Sequence, residues 1–450
     1  MYVRKLSPIV LIVLVIILSS CVVQPNQSQG GGTPPTEEPP EIVWQKVIGG
    51  SGNEVANFIE KTSDGGFIVA GFTKSEDIEG YHGDGDVLIV KLSEEGEVEW
   101  QKVFGGSEED NAASIRQTED GGYIVIGASK SEDGDVSENH GDQDMWILKL
   151  DAEGNILWSK VLGGYDDDFG MRIEQTEDGG YIIAARTYSD SVCSEYHGWR
   201  DIWVVKIDGS GEVQWQKCLG GSDKDLINDM IKAHDGGYII VGQTLSDDGD
   251  VNGEEYHGGG DVWIVKLSDE GEIEWQRLLG GSGDDFGTAI ERTSDGGYIV
   301  VGGTSSNDGN VGENKGMSDA WVVKLDGSGN ILWKKVLGGS RNDMAVSVIQ
   351  TSDGGYVVSG ITSSYDGDFE DNHSYYNDVW VAKFDGSGNL IWIKCFGGSY
   401  NEGSYSNLTA FVQESNDGGY VIATYTRSID GDLEGLRENY DKDIWVFKIR

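Results

Sequence analysis

The chain has 450 residues, 38 % of them hydrophobic and including 14 tryptophans and 19 tyrosines, enough to bury a large core. Its 33 basic and 78 acidic residues leave a formal charge of −45. That field repels nucleic acid and anionic lipid headgroups and attracts cations, which sets nucleic acid aside as a partner.

At the N-terminus, Arg4 and Lys5 precede an apolar run from Ile9 to Leu18 that is too short to span a bilayer comfortably and gives way to small residues. Residues 1–20 therefore read as a cleaved secretory signal. The residues Leu18-Ser19-Ser20-Cys21 resemble the lipobox of prokaryotic lipoproteins, which implies acylation of Cys21 and attachment to the membrane through its lipid. An ordinary signal peptide with an incidental cysteine is the alternative. Residues 21–40 are rich in Gln, Gly, Pro, Thr and Glu, have little to bury, and read as a disordered tether. Val22 after the cysteine resembles an outer-membrane address if the host is Gram-negative. The expected location is the cell envelope, at the outer membrane or cell surface.

From Glu41 onward the sequence repeats. Trp44, Trp100, Trp158, Trp215, Trp275, Trp333 and Trp392 recur at intervals of 56 to 60 residues, and Trp146, Trp203, Trp263, Trp321, Trp380 and Trp445 form a second series. In the second copy, period-two alternation and turn residues predict strands over Ala112 to Thr118, Tyr123 to Ser129, Met145 to Asp151 and Ile156 to Leu162. Asp120-Gly121-Gly122 and Glu153-Gly154-Asn155 supply the turns. Four antiparallel strands per unit, seven times over, predict an all-β, seven-bladed β-propeller across residues 41–450, monomeric. The last unit lacks a fourth strand, and Glu41 to Val47 reads as a fourth strand without a blade. The two should pair, with Ile444 to Ile449 receiving the N-terminal strand and closing the ring.

Beyond Cys21, the cysteines are Cys193, Cys218 and Cys395, an odd number that predicts no disulfide framework. Cys218 and Cys395 share a repeat position held elsewhere by valine or leucine, so they read as small core residues.

The WQKxxGGSxxD, TxDGGYIVxG and DxWIVKLDxxGNIxW motifs of residues 41–450 resemble those of prokaryotic cell-surface propeller lipoproteins. That resemblance implies the fold and an envelope location, and little about activity. Leu150 to Trp158 is similar to the docking motif of quinoprotein propellers, but the adjacent cysteines of those enzymes are missing. Thr118 to Gly122 resembles the Asp-box of sialidase-like propellers, with Val125 where its aromatic belongs. Sialidase chemistry would also need clustered arginines, and Arg116, Arg172, Arg277 and Arg292 do not recur at one position.

Two loops per unit emerge on one face. The first is Gly-Gly-Ser-x-x-acid, whose Glu54, Asp110, Asp168, Asp225, Asp285, Asp343 and Glu402 could ring the mouth of the central channel and attract a cation or polycation. The alternative is that serine and acid satisfy turn amides. The second reads Ser-x-Asp-Gly-Asp, placing Asp133 with Asp135, Asp248 with Asp250, Asp308 with Asn310, Asp366 with Asp368, and Asp430 with Asp432. Oxygen donors alternating around glycine suit calcium, although the full twelve-residue loop is missing. Asx-turns are the competing explanation. Blade three has Ser191-Val192-Cys193 there and should not bind. His82, His140, His197, His257 and His373 follow in these loops and read as packing residues bonded to Asp86, Asp144, Asp201, Asp261 and Asp378.

These features point to a non-enzymatic binding or scaffold module at the cell envelope, with an acidic loop face for a glycan or protein. Tyr81, Tyr196, Trp199, Tyr256, Tyr375 and Tyr376 suit such contacts. The rival is a polysaccharide-active hydrolase or lyase. Regularity argues against it, because an active site breaks a repeat locally, and only blades three and seven deviate much.

Overall fold

The computed structural model describes residues 38–450, apart from 195, 252–254, 374, 406 and 407; the signal segment, Cys21 and most of the tether lie outside the described residues. Blade two has strands Asp110–Gln117, Tyr123–Ser129, Asp144–Leu150 and Ile156–Leu162, within two residues of their expected bounds. Seven four-stranded antiparallel sheets follow the same plan, with the first strand of each innermost. Blade seven takes Phe411–Glu414, Tyr420–Thr426 and Asp443–Ile449 from one end of the chain and Ile42–Ile48 from the other. Ile42 lies opposite Ile449 and Ile48 opposite Ile444, so the ring closes as the repeat phase requires.

Each third strand, such as Asp144–Leu150, is buried along its whole length because neighbouring blades cover both faces of the sheet. That explains its nearly continuous apolar sequence. The second tryptophan series fills this layer, each member 2 % exposed or less. The first series joins blades. Trp100 lies against Gly154 in the turn of the next blade, where an added Cβ would stand 3.0 Å from the ring, and Trp44, Trp158, Trp215, Trp275 and Trp333 repeat this on Gly96, Gly211, Gly271, Gly329 and Gly388. Gly154 has φ +78°, a conformation that glycine adopts without strain.

A second fastening recurs in every blade. A lysine near the end of the third strand is buried and reaches the aspartate of the Asp-Gly-Gly hairpin: Lys149 to Asp120 at 3.0 Å, Lys206 to Asp178 at 2.9 Å, Lys324 to Asp295 at 3.0 Å, Lys448 to Asp417 at 2.8 Å. Burial raises the Asp120 carboxyl, but hydrogen bonds from Thr118, Lys149 and Gly122 outweigh it and pull the pKa down to about 2. These hairpins and the turns between third and fourth strands share one end of the propeller, the hairpin face. The long loops and Gly-Gly-Ser segments share the other, the loop face. Ile42–Ile48 runs as a fourth strand, so the chain enters the propeller on the hairpin face.

The cysteine expectation fails at one point. Cys193 and Cys218 form a disulfide with their Cα atoms 6.0 Å apart, tying the long loop of blade three to its fourth strand, Val213–Leu219. Cys218 is buried as expected, but bonded, and Cys395 is a buried free thiol. Three candidate thiols leave one over, and an odd count says nothing about whether the other two meet. Among the described residues, no helix is long and apolar enough to cross a membrane.

Candidate functional site: the loop face

The Gly-Gly-Ser turn is held by side chains from two directions. In blade two the N–H groups of Gly105, Gly106, Ser107 and Glu108 donate to Asp135 Oδ2 (3.2 Å), Asp110 Oδ2 (2.8 Å), Asp133 Oδ1 (2.7 Å) and Ser131 Oγ (3.0 Å). The blade-four junction repeats this with Asp250, Asp225, Asp248 and Ser246. Consecutive backbone N–H groups of this kind form a nest that suits an anion. Here the chain's own carboxylates fill it.

Asp308, Asp366 and Asp430 likewise accept from Ser282, Ser340 and Ser399, and Asp368 and Asp432 from Gly338 and Gly397. Asn310 stands where the second aspartate would be and donates its backbone N–H to Gly280. Each loop aspartate thus spends one oxygen on a turn amide. Among the described residues, no group of three or more His, Cys, Asp or Glu side chains converges as a metal cluster.

Glu54, Asp110, Asp168, Asp225, Asp285, Asp343 and Glu402 are fully buried in this turn, facing amides and hydroxyls rather than an open channel mouth. Ser131, Ser189, Ser246, Ser306 and Ser364 donate to five of them at 2.7 to 3.0 Å. Burial pushes Asp168, Asp225 and Asp343 up to about 6 and Glu402 to about 8.

Facing them is a second acid, the aspartate that opens each third strand: Asp86, Asp144, Asp201, Asp261, Asp319, Asp378 and Asp443. Six of the seven accept a loop backbone N–H, from His82, His140, His197, His257, Lys315 and His373. Asp443 instead pairs with Arg437 at 2.7 Å. The histidines therefore pack against these aspartates, all five through the backbone N–H and His257 and His373 also through Nδ1, at 3.2 and 2.7 Å. In all seven copies the other oxygen, Oδ1, is buried without a hydrogen-bond partner. It points at the first glycine of Gly-Gly, where an added Cβ would lie 2.2 Å from Asp86 Oδ1 and 2.7 Å from Asp110 Oδ2 at Gly105. Burial lifts Asp86, Asp319 and Asp443 to about 6. Two buried carboxyl groups so placed cannot both ionise cheaply.

This arrangement accounts for the Gly-Gly motif. In Gly338→Ala the new methyl would stand 2.1 Å from Asp319 Oδ1. Such overpacking should cost about 2 to 3 kcal/mol, read as a lowered urea midpoint with an unchanged slope.

The axis of the propeller holds a cluster that sequence reading did not find. Arg116 Nε binds Glu174 Oε1 and Arg172 Nε binds Asp229 Oδ1, both at 2.8 Å, on the first strands of blades two, three and four. Arg116 lies 4.6 Å over the Phe58 ring, and Arg172 lies 5.2 Å from Phe58 and 5.9 Å from Phe411, so blades one, two, three and seven meet here. Burial lifts Glu60 and Glu291 to about 7. Arg116 and Glu174 occupy one position of the repeat, and Arg172 and Asp229 another, but the residue type changes from blade to blade, so neither position shows as a motif.

Two exposed aromatic features remain. Across blades six and seven, Tyr365 meets Tyr375 edge-on at 5.2 Å, Tyr376 stacks on Tyr400 at 5.8 Å, and Tyr400 meets Tyr440 at 4.8 Å. Arg341 caps Tyr365 and Tyr375 at 5.1 and 5.3 Å. All five tyrosines are exposed. Between blades two and three lies a cavity of about 420 Å3 lined by Asp142, Asp166, Asp167, Tyr188, Tyr196, Gly198 and Trp199. Of the expected aromatics, Tyr196, Trp199, Tyr375 and Tyr376 fall in these two features; Tyr81 and Tyr256 fall in neither and are part-buried.

No family model matches the chain. It is similar to the regulatory protein FlaEY of Caulobacter vibrioides, 25 % identical over 220 residues, which are 45 % of this chain and 22 % of that protein. The chain thus spans less than a quarter of the length of that relative. Among solved structures, puromycin hydrolase superposes with a TM-score of 0.48 and 13 % identity over 84 % of this chain and 50 % of the other. The Pan2 WD40 domain of Neurospora crassa gives 0.46 and 11 % over 88 % and 89 %. The blade count rests on the strand pairing and not on these scores.

Proposed function

We propose that the protein is a non-enzymatic binding or scaffold lipoprotein of the cell envelope, held through lipid on Cys21, whose loop face engages a glycan or a protein. The observation that carries this reading is the tyrosine row of blades six and seven. Exposed contiguous aromatics rimmed by polar groups mark interaction surfaces, and tyrosine supplies contact area at low entropic cost. The similarity to a curated regulatory protein is compatible with a role exerted by binding.

Calcium belongs to the same proposal, because each loop aspartate keeps a second oxygen beyond the one given to a turn amide. The test is retention of the full-length chain on a glycan array and on immobilised envelope proteins, beside Tyr376→Ala/Tyr400→Ala, each with calcium or with chelator. The double variant should lose at least about tenfold in retention while keeping its unfolding midpoint. Equal retention would refute the tyrosine row as the contact surface. An unfolding midpoint that does not move with calcium, with no bound ion, would remove the metal.

A further inference from the structure

Blade three keeps neither aspartate of its long loop, whereas blade one keeps Asp77 and blade five Asp308. Ser191, Val192 and Cys193 occupy that stretch, so the Gly163-Gly164 turn lacks the carboxylates that Asp133 and Asp135 supply to Gly105 and Ser107. The Cys193–Cys218 disulfide fastens the loop instead. The same loop carries Tyr196 and Trp199 and forms one wall of the 420 Å3 cavity. The other wall is acidic, with Asp142 from blade two and Asp166 and Asp167 from the connection between the blades.

The chemistry of this groove is one-sided. Its charged side chains are all carboxylates, which only accept hydrogen bonds. The two cations beside it are engaged with rings, Arg200 4.1 Å from the Tyr188 centroid and Lys224 Nζ 5.3 Å from that of Trp199. Lys224 already places an ammonium group over this indole. Trp199 is nevertheless 71 % exposed. A cation over an indole face, with carboxylates in reach, is attracted by the ring quadrupole and by charge together.

We propose that the groove between blades two and three binds a basic side chain, the ammonium of lysine or the guanidinium of arginine, presented by an extended segment of a protein partner. The proposal rests on the reading of the loop face as a binding face, but it uses a different blade from the tyrosine row, so either can fail alone.

The test is calorimetric titration of the full-length chain with a hexalysine peptide, with cellohexaose as the neutral comparator. The parent should bind hexalysine one to one at physiological salt and ignore cellohexaose. Trp199→Ala and Asp166→Asn/Asp167→Asn should each weaken binding at least about tenfold with unchanged unfolding midpoints, as expected for a desolvated anchor. Glu119→Gln/Glu153→Gln removes the same charge from the hairpin face and should leave binding unchanged. Equal weakening by that control would show that only the overall field is felt. Absence of hexalysine binding, or binding of cellohexaose in its place, would overturn the proposal as well.

Discussion

Thermal unfolding should show its highest midpoint near pH 5 and a fall on the order of 5 °C by pH 8, measured by calorimetry in chelator. The cause is the pairing of buried acids at the seven Gly-Gly turns. Asp86, Asp168, Asp225, Asp319, Asp343 and Asp443 titrate near 6 in the folded chain and Glu402 near 8, all raised by burial. A carboxyl whose pKa is raised by folding stabilises fully below its unfolded value and loses that contribution as pH climbs through the folded one. The loss therefore falls between about pH 4 and 8. The hairpin aspartates act in the opposite direction. Asp64, Asp120, Asp295 and Asp353 are held near 2, so their contribution disappears only as pH drops below about 4. The two sets bracket an optimum in mild acid. Asp319→Asn, which mimics the protonated state, should raise the midpoint at pH 8 and flatten the slope. A midpoint that rises from pH 5 to 8 would mean that the pairs hold no proton. If calcium abolishes the fall, a metal ion takes the proton's place.

Deleting residues 41–48 should be more damaging than any single substitution, lowering the midpoint by about 10 °C or more and producing oligomers in light scattering. Ile42–Ile48 is the outer strand of blade seven, and its partner, Asp443–Ile449, is buried along its whole length. Removal also takes Trp44 from Gly96, breaking the contact between blades seven and one. A bare strand edge recruits another chain. The peptide Glu41 to Ile48 supplied in trans should restore the monomer by strand addition. A deletion variant that stays monomeric with the parental midpoint would show that closure contributes nothing.

The tryptophan spacing, the Asp-Gly-Gly turns and the displaced fourth strand were enough to read the blade count, the strand bounds and the closure. Each is a local pattern repeated often enough to outweigh noise. Pairings between distant positions were harder to read. The lysine of the third strand looks like polar interruption of an apolar run, and only folding brings it to the hairpin aspartate. Cys193 and Cys218 lie 25 residues apart in one blade, and the clue was the missing aspartates in the loop of Cys193 rather than the cysteines themselves. The acids of the Gly-Gly-Ser segments were visible as a ring, but not their burial, because seven equivalent positions look the same whether they face solvent or one another. The axial ion pairs put opposite charges at one repeat position in neighbouring blades, and a search for shared residues passes over positions whose residue type changes.

The chain enters the ring at Ile42 on the hairpin face, where lysine neutralises each Asp-Gly-Gly aspartate. Any segment ahead of that point leaves from the face of these lysine-paired hairpins. The exposed tyrosines of the loop face therefore lie at the end of the ring opposite the chain's entry, so a contact made there and a pull on the entering segment act on opposite ends of the same seven sheets.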